Sequence, residues 1–469
     1  MKRINVDVAI VGAGSAGMSA YKAALAHTSK ILIIEGGQYG TTCARVGCMP
    51  SKLLIAAAEA AHAADQAHAF GIRAEAIHVD GTAVMKRVRD ERDRFVGFTV
   101  DTIEGWPPEH RLRGYARFLD DHTLQVDDHT QVVAERIVIA TGSHANVLAE
   151  WRKAAGDRLI VNDDVFAWNT LPDSVAVLGA GVIALELSQA LYRLGVRVRL
   201  YGRSDRMGPL TDPVLQALTL QLVGDEIPVQ METNGLRLSR DGDDVLVHVG
   251  DDTQRFEWVL VSSGRNPSLD GLDLARTTLP TDAKGIPVYD PETGRVGDTH
   301  VFMAGDVTNE LTVLHEAADS GRIAGDNAGR YPELRRRKRR TPLTIVFSDP
   351  QIMVVGQTHA QLSQSGVDFT VGAVSFANQG RSRVMLKNKG ALHLYAASDT
   401  GRLLGAEMIG PAAEHLAHLL AWSVQRGDTV NEMLGYPFYH PVIEEGLRTG
   451  LRSLARAMPD KKQARTFLG

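Results

Sequence analysis

The chain has 469 residues, 44% of them hydrophobic and 23% charged, with a formal net charge of −5 at pH 7. It is too long for one core, and its charge offers no global attraction to nucleic acid or to an anionic membrane. No apolar run approaches the ~20 residues that span a bilayer, so a cytoplasmic protein with neither a membrane nor a nucleic-acid partner is expected.

Lys2 and Arg3 precede Val8-Ala9-Ile10-Val11 in the manner of a signal peptide, but Asp7 and the glycines that follow read as a strand running into a phosphate loop. Val6 to Val11 is predicted as a short buried strand. Gly12-Ala13-Gly14-Ser15-Ala16-Gly17 then opens an alanine-rich helix to about His27, and Ile31 to Ile34 forms the next strand, ending at Glu35. Strand, glycine turn, helix and distal acid together make the dinucleotide fingerprint. Gly12 permits the tight turn, Gly14 lets a pyrophosphate approach the backbone, and Gly17 lets helix and strand pack. The helix N-terminus offers amide donors, and Glu35 offers an acceptor to a ribose.

Both cysteines of the chain fall in the next segment, Cys43-Ala44-Arg45-Val46-Gly47-Cys48. A five-residue step on the first turn of a helix brings two sulfurs within disulfide reach, whereas a tetrahedral metal site needs two further ligands close by. A lone cysteine is usually a buried inert thiol. The pairing, the following Met49-Pro50-Ser51-Lys52 and the position behind a dinucleotide fingerprint favour a redox disulfide and no metal.

Farther on, Val138-Ile139-Ala140-Thr141-Gly142 reads as a strand ending in a glycine turn. A second fingerprint follows: strand Val175 to Leu178, then Gly179-Ala180-Gly181-Val182-Ile183-Ala184, a helix to about Leu194, and strand Val196 to Tyr201. At the position of Glu35 this copy has Gly202, followed by Arg203 and, close by, Arg206. A ribose 2′-hydroxyl prefers a carboxylate; a 2′-phosphate is repelled by one and attracted by arginine. NADP(H) is therefore favoured over NAD(H). Val261 to Pro267, with Gly264 at its turn, and Val301 to Asp306 are further strand-to-loop ends, where ligands sit in α/β folds.

The run Arg335 to Arg340 lacks interleaved aromatics and reads as a solvated linker. Beyond about Thr341 the character becomes α+β, with strands at Thr344 to Phe347 and Ala391 to Tyr395 and helices at Ala412 to Gln425 and Glu444 to Ala457. His440-Pro441 stands just before the last of these, with Pro441 near its start. A carboxylate one turn on can orient such a histidine and suit it to move a proton from a thiol.

These motifs occur in the order seen in the class I pyridine nucleotide-disulfide oxidoreductases, which the chain resembles over nearly its full length. Cys48-Met49-Pro50-Ser51-Lys52 looks most like dihydrolipoamide dehydrogenase. Glutathione reductase is similar in length and in the arginines of the second fingerprint. The lack of an N-terminal metal-binding domain and of a C-terminal cysteine pair counts against mercuric reductase. The resemblance implies an α/β fold of two Rossmann-like dinucleotide-binding domains, the second inserted in the first, and a C-terminal α+β dimerisation domain. The expected bounds are 1–150 for FAD, 151–272 for NAD(P), 273–340 for the return to the central domain, and 341–469 for the interface.

Roles follow by the same resemblance. FAD falls to Gly12, Gly14, Gly17, Glu35, Lys52, Gly114, Thr141, Gly142, Asp306 and His315; the nicotinamide nucleotide falls to Gly179, Gly181, Ala184, Arg203, Arg206 and Gly264. Cys43 would be the interchange thiol and Cys48 the charge-transfer thiolate beside the flavin. Lys52 would pair with Glu186. His440, oriented by Glu445, would be the acid/base reaching the other subunit's disulfide, so a homodimer is implied. The substrate would be a lipoyl or small-molecule disulfide or dithiol; a glutathione-type reductase and a flavin-bearing binding protein without thiol catalysis are the alternatives. The chain departs from the family at Gly40-Thr41-Thr42, where two glycines usually precede a threonine, at Arg45, usually asparagine, and at Val442, usually threonine.

Overall fold

The computed structural model describes residues 1–73 and 76–458. Its first sheet is built on Lys2–Val11, which pairs in parallel with Ile31–Glu35 on one side and Thr130–Ile139 on the other. Val301–Met303, from far along the chain, pairs with Thr130–Ile139 and extends the same sheet. A second parallel sheet lies between those two visits: Ser174–Leu178 is flanked by Arg197–Tyr201 and Trp258–Val261. The second dinucleotide domain is thus inserted in the first. Both central strands are covered on both faces, so their sequences are continuously apolar rather than alternating, and Val8, Ala9, Ile10, Val175, Ala176 and Val177 have no exposed surface.

The C-terminal part is built on an antiparallel five-stranded sheet whose strands run in the chain from Leu343–Val346 to Leu403–Gly410. Helices Ala413–Arg426 and Glu445–Ala457 pack on it and share its core. Among the described residues no helix is long and apolar enough to cross a membrane.

Close backbone approach explains the fingerprint glycines. A Cβ at Gly12, where φ is +105°, would lie 2.4 Å from the Ala140 carbonyl oxygen, and one at Gly17 would lie 1.8 Å from that of Gly12. The second copy repeats the first: a Cβ at Gly179 would meet the Ser262 carbonyl oxygen at 2.3 Å.

The basic run is not a solvated linker. Arg336 pairs with Asp290 and Glu292, Arg337 with Asp326, Arg339 with Glu316 and Arg340 with Asp319. Local composition could not show this, because the acids that neutralise the run lie on other elements.

Polar groups seat the inserted domain on the antiparallel sheet. Glu407, wholly buried, accepts hydrogen bonds from the Thr211 amide (2.5 Å), the Thr211 hydroxyl (2.6 Å), the Asp212 amide (3.0 Å) and the His359 amide (2.8 Å). Asp212 receives His393 Nδ1 at 2.7 Å and the Tyr395 hydroxyl at 3.2 Å, and caps helix Pro213–Gly224. Burial would raise its carboxyl, but the His393 hydrogen bond and charge, with the capping amides, outweigh it and hold the group at about 2. A buried donor left unpaired costs about 1–3 kcal/mol. Glu407→Leu is therefore expected to lose about 3 kcal/mol or more in urea unfolding; an unchanged midpoint and slope would show that the carboxylate does not hold this junction.

Candidate active site

A cavity of about 430 Å³ lies where the three domains meet. Gly14 and Ser15 of the first fingerprint, Cys43, Cys48, Lys52, Gly142, Glu186, Asp306 and His315 all line it. The antiparallel domain adds Leu343, Ile345, Phe347 and His418.

The cysteines do not share one helical turn, as the spacing predicted. Thr42–Val46 is a short helix, the chain breaks at Gly47 (φ −126°, ψ −117°), and Cys48 opens a new helix that runs to Asp65. A Cβ at Gly47 would sit 3.0 Å from the Thr42 carbonyl oxygen, so the fold-back is close. It brings the two thiols into hydrogen-bonding contact. Thr41 carries the strain of the turn. Its φ of 59° with ψ of 152° is sparsely populated for a β-branched residue and costs about 1–3 kcal/mol. Its hydroxyl returns part of that by capping the short helix through the Ala44 amide at 3.2 Å.

The pair is electrostatically asymmetric. The hydrogen bond from Cys43, opposed by burial and aided by the Lys52 charge, lowers the Cys48 thiol to about 7. The same hydrogen bond, together with burial, pushes Cys43 up. Cys48 is therefore the more acidic thiol of the pair and the first to lose its proton. Lys52 Nζ lies 2.7 Å from Glu186 Oε2 and 4.6 Å from the Phe347 ring centroid, while the Phe347 amide donates to Glu186 Oε1 at 3.0 Å.

The residues fit two dinucleotides. A Cβ at Gly14 or Gly142 would meet nothing within 4 Å, which leaves an open cradle over the first helix N-terminus. The Thr141 hydroxyl is buried without a partner. Glu35 accepts the Ala13 amide at 2.7 Å and the Gly37 amide at 2.8 Å, and the Gly114 amide donates to its carbonyl at 3.1 Å. Burial raises the Asp306 carboxyl, whose Oδ2 accepts the Ser143 hydroxyl at 3.1 Å. In the second copy Gly181 and Gly264 leave the same open space, and the Ser262 hydroxyl, at the position of Ala140 in the first copy, is also buried without a partner. Ala184 packs in the core. A Cβ at Gly202 would strike the Met231 sulfur at 2.5 Å, and Arg203 and Arg206 are exposed with no ion pair among the described residues.

His440 and Glu445 pair with each other, Nδ1 lying 3.0 and 3.1 Å from the two carboxylate oxygens. That hydrogen bond holds the Glu445 carboxyl below its usual range. They do not line the cavity; the His440 side chain is 80% exposed. The last helix runs from Glu445 to Ala457, one residue later than the expected start at Glu444, with Pro441 in the turn before it. Sequence reasoning missed Phe347, Arg265, Asn162 and His418. Arg265 ties Ser143 through its hydroxyl at 2.8 Å, and Asn162 donates to the Val46 carbonyl at 2.9 Å. Their roles depend on contacts across the chain, and His418 is one of 16 histidines with no motif around it.

The family model described as pyridine nucleotide-disulphide oxidoreductase matches residues 6–321. The chain belongs to that family. The dimerisation domain of these oxidoreductases matches residues 343–450. Mercuric reductase of Shigella flexneri is 30% identical over 465 residues, covering 94% of this chain and 80% of its own. Dihydrolipoyl dehydrogenase of Pseudomonas aeruginosa is 29% identical over 480 residues, covering 97% and 99%. Two solved structures share the fold at 22% identity, each covering 96% of this chain and 99% of its own: RclA, an HOCl-induced flavoprotein disulfide reductase from Escherichia coli (TM-score 0.80), and LpdA from Mycobacterium tuberculosis (TM-score 0.81). The protein is a flavoprotein disulfide oxidoreductase that uses FAD and a pyridine nucleotide.

In this oxidoreductase, reduced before assay, alkylation of Cys48 is expected to rise with pH through about 7. Lys52→Met removes a cation that favours the thiolate, so the profile moves to higher pH and the rate at neutral pH falls roughly tenfold. A profile that stays in place would assign the thiolate to the Cys43 hydrogen bond alone.

Proposed function

We propose that the protein is a homodimeric disulfide oxidoreductase most like dihydrolipoyl dehydrogenase, exchanging electrons between NADPH and a small or lipoyl disulfide through Cys43 and Cys48. The observation that carries this reading is the pair of apposed, unequally acidic thiols, backed by Lys52 and Glu186, in the cavity of the first fingerprint. Bound FAD supplies the two-electron step that links a nicotinamide hydride to the sulfurs.

The chain's own residues do the rest. Gly14, Thr141 and Asp306 would hold FAD, and Gly181, Gly264 and Ser262 the nicotinamide nucleotide. In the dithiol-oxidising direction a substrate thiol gives its proton to a base and attacks Cys43 of the disulfide. The S–S bond breaks, and Cys48 leaves as the thiolate that Lys52 stabilises. The second substrate sulfur then displaces Cys43, so the substrate leaves oxidised and the protein dithiol holds the electron pair. His440, fixed through Nδ1 by Glu445, presents Nε2 as the base. Because it lies outside its own subunit's cavity, it would serve the partner's disulfide, which makes the dimer the working unit.

Cys48→Ser is expected to retain FAD and hydride uptake but to lose turnover of lipoamide and oxidised glutathione. His440→Gln should slow only the thiol half-reaction, by roughly 10²–10⁴-fold. Full disulfide turnover by Cys48→Ser would sink the proposal. The 30% identity to a mercuric reductase favours one second reading, mercuric ion as substrate. Against it, Cys43 and Cys48 are the only cysteines of the sequence. A steady-state panel of lipoamide, oxidised glutathione and mercuric ion separates the two.

Support for NADPH comes from the second fingerprint, where Gly202 replaces the acid of the first copy and Met231 fills the space a side chain there would need. Arg203 and Arg206 stand free to meet the phosphate with charge-assisted hydrogen bonds. kcat/KM is expected to be higher for NADPH than for NADH. Arg203→Ala should raise the KM for NADPH roughly 10- to 100-fold while leaving NADH nearly unchanged. Equal or better use of NADH by the wild type would return Arg203 to the solvated surface charges.

A further inference from the structure

The basic segment has no part in the chemistry above, yet its partners bear on the cofactor site. Glu316, Asp319 and Asp326 lie along one face of the helix Leu314–Arg330, Asp319 one turn and Asp326 about three turns beyond Glu316. Arg339, Arg340 and Arg337 respectively pair with them. The acids are buried, keeping only 5%, 14% and 12% of their side-chain surface, and Arg339, at 22%, is the most buried of the arginines, against 37% for Arg337 and 62% for Arg340. Main-chain bonds fix the segment as well. Asn327, wholly buried, accepts the Arg335 amide at 2.7 Å and donates to the Arg335 carbonyl at 3.0 Å.

The opposite face of the same helix lies against the fingerprint helix Ser15–Ala24, backbone to backbone. A Cβ at Gly321 would sit 2.2 Å from the Ala16 carbonyl oxygen, and one at Gly325 2.2 Å from that of Ala20. The two helices also bring their N-terminal turns to the cavity, Ser15 and Ala16 from one, Leu314, His315 and Ala317 from the other. Glu316, the partner of Arg339, stands between two of those lining residues.

We propose that Arg335–Arg340 is an electrostatic strap that presses the helix Leu314–Arg330 onto the fingerprint helix and so sets how long the first dinucleotide site retains FAD. Arg339 is its main positioning residue. It touches neither cofactor nor substrate and acts through Glu316 on the turn that carries His315. Without Arg339 the buried Glu316 carboxylate lacks its counter-ion and moves toward water, taking the turn with it.

The test uses the FAD-loaded protein, with FAD release followed by flavin fluorescence and global unfolding followed by circular dichroism. Arg339→Gln is expected to release FAD roughly 5- to 150-fold faster than wild type, the range of ordinary coupling between sites, and to do so before helical signal is lost. Arg339→Lys, which keeps the charge, should restore most of the retention, and kcat per bound FAD should stay unchanged in both. Should Arg339→Gln fail to fold, Arg340→Gln, at a more exposed pair, should show a smaller change in the same direction. Wild-type release from the folded variants, or release that only accompanies global unfolding, would overturn the proposal.

Discussion

Glu186 is the carboxylate on which the assembly of the site depends. Its side chain is 5% exposed, and a carboxylate that deep is tolerated only if paired and hydrogen-bonded. One oxygen takes the Lys52 ammonium from the cysteine helix, and the other takes the Phe347 amide from the antiparallel domain. Glu186 itself belongs to the helix of the second fingerprint. The desolvation penalty that would be a liability elsewhere forces three domains into one arrangement. Losing one partner of such a pair costs about 3–5 kcal/mol, so the arrangement resists slippage.

Lys52 serves two anions. The cation that neutralises Glu186 also favours the Cys48 thiolate, whereas Glu186 by its own charge disfavours it. Domain seating and thiol chemistry therefore share a single charge. The strain at Thr41 belongs to the same economy. A left-handed backbone at a β-branched residue persists only where its surroundings over-determine it. Here the Ala44 amide on its hydroxyl and the break at Gly47 fix the loop that sets the sulfurs against each other.

Much of this was legible in the sequence because the relevant patterns are local. Buried parallel strands announce themselves as unbroken apolar runs, and both glycine fingerprints follow from turns that have no room for a side chain. The cysteine segment stood out by position and pairing. The break at Gly47 did not, because a helix of that composition reads as continuous until the approach of the Thr42 carbonyl is seen. The basic run misled for the opposite reason. Its sequence neighbourhood holds too few acids to pair it, and its partners at Asp290, Glu292, Glu316, Asp319 and Asp326 become neighbours only through the fold. Phe347 and Asn162 were hidden because they act through a backbone amide and a side-chain amide toward other elements, contacts with no signature in residue type.

The internal duplication turns one site into a control for the other. Both copies carry the same open glycine cradle, and beside each lies a buried hydroxyl without a partner, Thr141 in the first and Ser262, one position earlier by alignment, in the second. An unpartnered polar group beside each cradle fits a place that expects a polar ligand. The copies differ where the ligands must differ. The first keeps Glu35, already turned back onto the Ala13 amide; the second fills that space with Met231 and sets arginines beside it. What distinguishes a resident cofactor from an exchanging one then lies outside the fingerprints. The first copy has the helix Leu314–Arg330 packed against its own helix, whereas exposed arginines stand at the edge of the second.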